Sequence, residues 1–277
     1  MNWMSTNYPR DILRNKPKTA LITGAGQGIG AQIARCFVDK GYFVAFVDYN
    51  QEIGSAQEKS LGDRAKFYFC DLSDFSQVKA LSSSLEAQFD TIDVIIHNAK
   101  SPAKEKDIVS NLSNEWDQTF KVMLKHPILL NQLLIETLKK SPNPSIVFIG
   151  STNSQFISRQ PLSYHVLKGA LLQTVRYLAC EYGSYKIRVN LLNPGLVDVP
   201  GRAKRNPEIF QKTIEHVIPL QRSASAKEIG ECCLFFASEE AKYLTGTALD
   251  LDGGEHLKDH FDLMMSHFMN ISCGTIK

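Results

Sequence analysis

The sequence predicts an α/β fold, a doubly wound parallel sheet of about seven strands in a single domain, and three observations carry that prediction. β-rich apolar runs alternate with helix-length segments from end to end. The runs are apolar on both faces, as strands covered by helices on either side must be. No Gly/Ser-rich or Pro-rich linker divides the 277 residues, a length common for one α/β unit.

In chain order the candidate strands are KTALIT, YFVAFVD, AKFYFC, DVIIH, SIVFIG, IRVNLL and ALDLD. The first helix has Ile29, Ile33, Cys36 and Phe37 at helical spacing and stops at Gly41, a residue suited to a left-handed C-terminal cap. Asn114 to Lys140 reads as one long helix bent at Pro127, and Tyr164 to about Tyr182 as a second; both are candidates for a subunit interface. From Glu255 onward, Leu257, Phe261, Met264, Met265, Phe268 and Met269 line one side of a short helix, a stripe expected in a core or a subunit contact. The expected organisation is an N-terminal extension over 1–17, the α/β domain over 18–254 and a C-terminal extension over 255–277.

Composition excludes several classes. With 43% hydrophobic and 22% charged residues the chain buries a large core, and a formal charge of +2 offers no basic excess for nucleic acid. The cysteines at 36, 70, 180, 232, 233 and 273 form no CxxC pair and fall mostly in apolar stretches, as reduced core residues do. No stretch approaches eighteen consecutive apolar residues, and MNWMSTNYPRDILRNKPK lacks the apolar segment of a signal peptide. A cytoplasmic enzyme that avoids membranes is expected.

The chemistry centres on SYHVLKGA. Lys168 lies four positions after Tyr164, which on a helix puts both on one face about 6 Å apart along the axis. A free phenol titrates near ~10, and a fixed cation beside it is expected to lower that value. Ser151 ends the apolar strand SIVFIG thirteen residues earlier, where its hydroxyl can hold a carbonyl or alcohol oxygen while the tyrosine gives or takes the proton. A tyrosine and lysine one turn apart also occur on solvated helix faces. The reactive reading gains from a second motif, TALITGAGQGIGAQIA, which puts Gly24, Gly28 and Gly30 between a strand and a helix, where backbone N–H groups can approach a pyrophosphate. A plain tight turn is the competing reading of those glycines. Asp48 decides between them: it ends the second strand, twenty-four residues after Gly24, near the interval at which a carboxylate takes adenosine ribose hydroxyls. That carboxylate repels a 2′-phosphate and neither Gln27 nor Tyr49 supplies a cation, so NAD(H) is expected over NADP(H). Asp71 suits either the adenine amino group or a helix cap.

With these residues in place the sequence resembles a short-chain dehydrogenase/reductase of the Ser-Tyr-Lys type with a TGxxxGxG loop, over about Lys18 to Gly254. TGAGQGIG, CDL, HNA, IGS, YHVLK, NPG and LDLDGG appear in the family's order. The resemblance implies a Rossmann-type fold, with Ser151 orienting the reacting oxygen, Tyr164 as general acid/base, and Lys168 lowering the tyrosine pKa and holding the nicotinamide ribose. It implies cofactor contacts from Gly24, Gln27, Gly28, Ile29, Gly30, Asp48, Asp71, Leu72, Asn98 and Ala99, with Pro194, Gly195 and Val197 near the carboxamide. A homodimer or homotetramer paired through the two long helices is also implied.

The chain departs from the family pattern at three positions. Met123 stands where an asparagine usually holds a helix kink and a water, Lys100 replaces the glycine of NNAG, and Val199 replaces a hydroxyl residue. Arg202, Lys204 and Arg205 fall in the segment that is a mobile substrate lid in the family, and fit either a solvated face or an acidic substrate. His256 and His260 lack a third ligand, so no metal is expected. The expected activity is NAD(H)-dependent interconversion of a small alcohol and its carbonyl. Reduction of a conjugated ring of the pteridine type is disfavoured by Gln27, and enoyl reduction by the close spacing of Tyr164 and Lys168. The alternative from another class is an NAD-binding scaffold or regulator with little turnover.

Overall fold

The apolar runs form the strands expected of them in the computed structural model, which describes residues 17–101, 107–199 and 207–269. β1 (Thr19–Thr23), α1 (Gly28–Asp39), β2 (Phe43–Asp48), α2 (Gln51–Leu61), β3 (Ala65–Phe69), α3 (Phe75–Gln88) and β4 (Val94–His97) make the first half. A helical tract follows, containing α4 (Ile108–Ser110), α5 (Trp116–Phe120), α6 (His126–Leu133) and α7 (Ile135–Leu138). Then come β5 (Ser145–Ile149), α8 (Leu162–Gly183), β6 (Arg188–Pro194), the short β7 (Val197–Asp198), α9 (Pro207–Val217), β8 (Ala224–Ser225), α10 (Ala226–Ala237), β9 (Ala248–Leu251) and α11 (His260–Met269). Seven strands form one parallel sheet in the order β3-β2-β1-β4-β5-β6-β9. The order reverses between β1 and β4, and such a switch point opens a crevice at the carboxyl ends of the strands.

Alternate residues of the central strands feed two cores. Leu21, Ile95, Ile146 and Leu191 pack with α3, α6 and α8 on one face, and Ile22, Ile96, Val147 and Leu192 pack with α1 and α10 on the other. This is the physical reason the strands read as unbroken apolar runs. Gly41, at φ +91°, follows the end of α1 as the sequence suggests, and the Asn50 and Asp74 side chains accept backbone N–H groups at the starts of α2 and α3. Ser225 and Glu228 form a reciprocal capping box on α10.

Three expectations are corrected. The segment from Asn114 to Lys140 is not one helix bent at Pro127. Helix begins at Ile108, widens into π turns at Asn111–Glu115 and Lys121–Lys125, and breaks at Leu134, while Pro127 lies just past the second π turn, where the widened ladder accommodates its missing N–H. Cys180 is exposed, although Cys36, Cys70 and Cys233 are buried as expected. In α11 it is Leu263 that is buried, whereas Phe261, Met264, Met265 and Phe268 face outward, as does Leu257 before the helix, which overturns the core alternative for this stripe and leaves the subunit-contact alternative standing. Arg202, Lys204 and Arg205, together with Cys273 and the side chains of His260 and Met269, lie outside the described residues.

Candidate active site

The glycine turn is built by close approach rather than by flexibility alone. Gly24, at φ +65°, lies so near Ala99 that a Cβ would stand 2.6 Å from the Ala99 Cα, and a Cβ on Gly30 would stand 2.1 Å from the Gly24 carbonyl oxygen. Gly28, at φ +61° at the start of α1, faces open space within 4 Å, so the helix N-terminus presents uncovered backbone where a diphosphate is favoured. Asn98 braces this turn, its Nδ2 donating to the carbonyls of Thr23 (3.2 Å) and Gly24 (2.8 Å). Gln27 is exposed and Ile29 half-buried on the same turn. The glycine cradle, the open helix terminus and the acid that follows fit a dinucleotide.

That acid is held rigidly. Asp48 Oδ2 accepts from the Gly26 N–H (2.9 Å) and Oδ1 from the Asn50 N–H (3.0 Å), with the side chain buried at the end of β2. Gly26 therefore matters as much as the three glycines singled out by spacing, since a Cβ there would stand 2.8 Å from the Asp48 carboxylate. Asp71 accepts from the Ser73 N–H (2.8 Å), while the cap of α3 is Asp74. The buried Leu72 offers its carbonyl to His126 Nδ1 at 2.6 Å.

Across the switch point, Ser151 follows β5 and Tyr164 and Lys168 stand in the first turns of α8. Ser151 is 8% exposed and its Oγ accepts from the Asn153 N–H at 3.2 Å. Lys168 is buried, donates to the Ile149 carbonyl at 2.6 Å, and places its Nζ 5.6 Å from the centroid of the Tyr164 ring. Burial, and then the charge of Lys100, push the Lys168 ammonium down to about 7. Tyr164 runs against the expected direction: burial raises its pKa, and hydrogen bonding with the Ser151 side chain only partly opposes that. Desolvation of the phenolate outweighs the help available, because the lysine lies toward the ring and binds a carbonyl.

The remaining predicted residues gather at the same end of the sheet. Pro194 ends β6, and Gly195 packs so tightly on Asp252 that a Cβ would stand 2.7 Å from the Asp252 Cβ. Val197 is buried in β7 and Val199 packs against the core. Met123 is buried in the second π turn, so the helix is distorted there without a carboxamide. Lys100 is exposed just after Ala99. His256 pairs with Asp252 (2.6 Å), and no metal-binding cluster exists among the described residues.

Sequence reasoning missed Thr23, whose Oγ1 accepts from the Asn98 and Ala99 amides, and the polar groups behind Ser151, namely Asn193, Asp250 and His165. All four lie inside quoted motifs, Thr23 in TGAGQGIG, His165 in YHVLK, Asn193 in NPG and Asp250 in LDLDGG, but spacing alone did not show that their side chains meet.

A parallel sheet with a glycine cradle at its switch point and a Ser, Tyr and Lys trio across it defines a dinucleotide-dependent oxidoreductase class of α/β protein. The family model described as Enoyl-(Acyl carrier protein) reductase matches residues 24–256, and the chain belongs to the short-chain dehydrogenase/reductase family, whose cofactor is a nicotinamide dinucleotide. An uncharacterized oxidoreductase of Thermotoga maritima is 34% identical, over 86% of this chain and 96% of the relative. A D-threitol dehydrogenase of Mycolicibacterium smegmatis is 30% identical over 87% and 94%, and a 3-oxoacyl-(acyl-carrier-protein) reductase of Chlamydia trachomatis 30% over 86% and 96%.

Proposed function

We propose that this protein interconverts an alcohol and a carbonyl with NAD(H), using Tyr164 as the general acid/base. The observation that carries the reading is the gathering of Ser151, Tyr164 and Lys168 at the same end of the sheet as the glycine turn, with the Ser151 side chain acting on the phenol and the Lys168 ammonium 5.6 Å from the centre of its ring. Ser151 orients the substrate oxygen, and Tyr164, kept protonated by burial, is set to donate a proton to a carbonyl oxygen. Lys168 has N–H donors beyond the one given to Ile149 and can hold ribose hydroxyls. When bound, the nicotinamide supplies or accepts the hydride. Gly24, Gln27, Gly28, Ile29, Gly30, Asn98 and Ala99 would hold the diphosphate side, Asp48 the adenosine ribose, Asp71 and Leu72 the adenine, and Pro194, Gly195 and Val197 the carboxamide.

NAD(H) is favoured over NADP(H) because a buried carboxylate, fixed by two amides, would face a 2′-phosphate. Relatives named as a polyol dehydrogenase and a ketoacyl reductase agree with chemistry at a C–O bond. The described thiols are all unpaired and no described helix is long and apolar enough to cross a membrane, which suits a reducing cytoplasm. A groove of about 770 Å³ between α3, α6 and α8, edged by the exposed Phe75 and Tyr177, supports pairing of two copies through these helices; light scattering tests it. The extensions over 1–17 and 255–277 are proposed as additions to the catalytic domain.

Following NADH absorbance against a panel of alcohols and ketones tests the activity, which Tyr164→Phe is expected to abolish. The raised Tyr164 pKa and the apolar Met123 favour a second reading, a cofactor-binding regulator. Tight NADH binding with no turnover across the panel would select it.

A further inference from the structure

Ser151 sits in a segment with little backbone ladder of its own. Between β5 and α8 the 151–158 loop makes one short 3-10 turn, Thr152–Ser154, so side-chain contacts decide where the serine hydroxyl lies. We propose that Asp250 and His165 are positioning residues that clamp this loop from opposite sides and thereby set the spacing of the Ser151 and Tyr164 hydroxyls. The proposal rests on the reading of those two hydroxyls as the reacting pair.

On the sheet side, the Ser151 N–H donates to Asn193 Oδ1 (3.2 Å), Asn193 Nδ2 donates to Asp250 Oδ1 (2.9 Å), and Gln155 Nε2 donates to Asp250 Oδ2 (3.0 Å). One carboxylate thus holds both ends of the turn, the near end through Asn193 and the far end directly. The orientation of the Asn193 amide is forced: an ionised carboxylate only accepts and a backbone N–H only donates, so Nδ2 must face Asp250 and Oδ1 must face Ser151. Asn193 is 2% exposed, and a Cβ on Gly150 would stand 1.9 Å from its Oδ1, so residue 150 has to be glycine for the clamp to close.

On the helix side, His165 follows Tyr164 directly and uses both ring nitrogens on the loop. Nδ1 lies 2.9 Å from the Asn153 carbonyl and Nε2 accepts from the Ser158 N–H at 3.3 Å. A carbonyl only accepts, so Nδ1 is the donor to Asn153, while Nε2 lies 3.3 Å from both the N–H and the carbonyl of Ser158. Asn153 closes the circuit, because its N–H donates to Ser151 Oγ at 3.2 Å while its carbonyl takes the His165 proton. The serine hydroxyl is therefore tied, through one residue, to the helix turn that carries the tyrosine. A misplacement of about 1 Å at a reacting centre costs on the order of 100-fold in rate.

The test compares His165→Ala, His165→Asn and Asp250→Asn with the wild type by steady-state kinetics, NADH titration and amide hydrogen exchange. For His165→Ala and Asp250→Asn, kcat is expected to fall about 10- to 100-fold with the NADH dissociation constant within about twofold, and exchange at Asn153 and Ser158 to accelerate about tenfold or more. His165→Asn, whose amide N–H takes the place of Nδ1–H, is expected to recover most of the rate and the protection at Asn153. Wild-type kcat together with wild-type protection in both variants overturns the clamp. If even the wild type turns over nothing, the catalytic reading fails, yet exchange still decides the clamp: faster loop exchange supports it and unchanged exchange overturns it.

Discussion

His97 gives the sharpest stability prediction. It ends β4 with 5% of its surface exposed, its Nε2 lies 2.7 Å from Asn131 Oδ1, its ring packs on Phe148, and Nδ1 has no hydrogen-bond partner. Desolvation lowers its pKa from 6.5 to about 4, opposed only by the bond to Asn131. The folded state therefore keeps the ring neutral where the unfolded chain binds a proton, so the stability present above pH 6.5 is lost as the pH falls toward 4. Between pH 7 and pH 5 the unfolded imidazole becomes almost fully protonated while the folded one stays mostly neutral. At about 1.4 kcal/mol per unit over roughly 1.5 units, the loss is about 2 kcal/mol. Urea unfolding of the wild type and His97→Asn at the two pH values isolates the contribution, since the carboxylates are common to both. The wild type is expected to lose about 2 kcal/mol more than the variant; equal losses in the two proteins would refute the reasoning.

Lys100→Ala removes the charge that helps to hold Lys168 down, so the pH limb assigned to Lys168 in the kcat profile is expected to move to higher pH; no shift, or a downward one, counts against the coupling of the two ammonium groups. NADPH binding is expected to be weaker than NADH binding because of Asp48, and equal dissociation constants by fluorescence titration would contradict that. Gly54→Ala drives a methyl to 2.2 Å from the Phe67 ring, and denaturant unfolding is expected to show a loss of about 1–3 kcal/mol. Ser225→Ala removes half of the capping box on α10, with an expected cost of about 1 kcal/mol in the same assay.

The sequence by itself determined the parallel sheet, the glycine turn and the Tyr164–Lys168 helix face, because each leaves its mark in the residue types along a short stretch of chain. Two-sided burial writes itself into a strand as an apolar run, a tight turn demands glycine where a Cβ would collide, and a spacing of four residues puts two side chains on one helical face. Other properties depended on distant segments meeting. The direction of the Tyr164 shift was decided by how completely the fold desolvates the phenol and where Lys168 spends its hydrogen bond. The π turn at Asn111–Glu115, unlike the one at Lys121–Lys125 just before Pro127, has no local signature, and Asn111, buried there, holds the Ser163 amide at the start of α8. The circuit from Asp250 to Ser151 joins residues nearly a hundred positions apart in the chain. Only tertiary structure decides such features, since desolvation and hydrogen-bond partnership depend on what the folded chain brings near, and residue types and spacing do not encode that proximity.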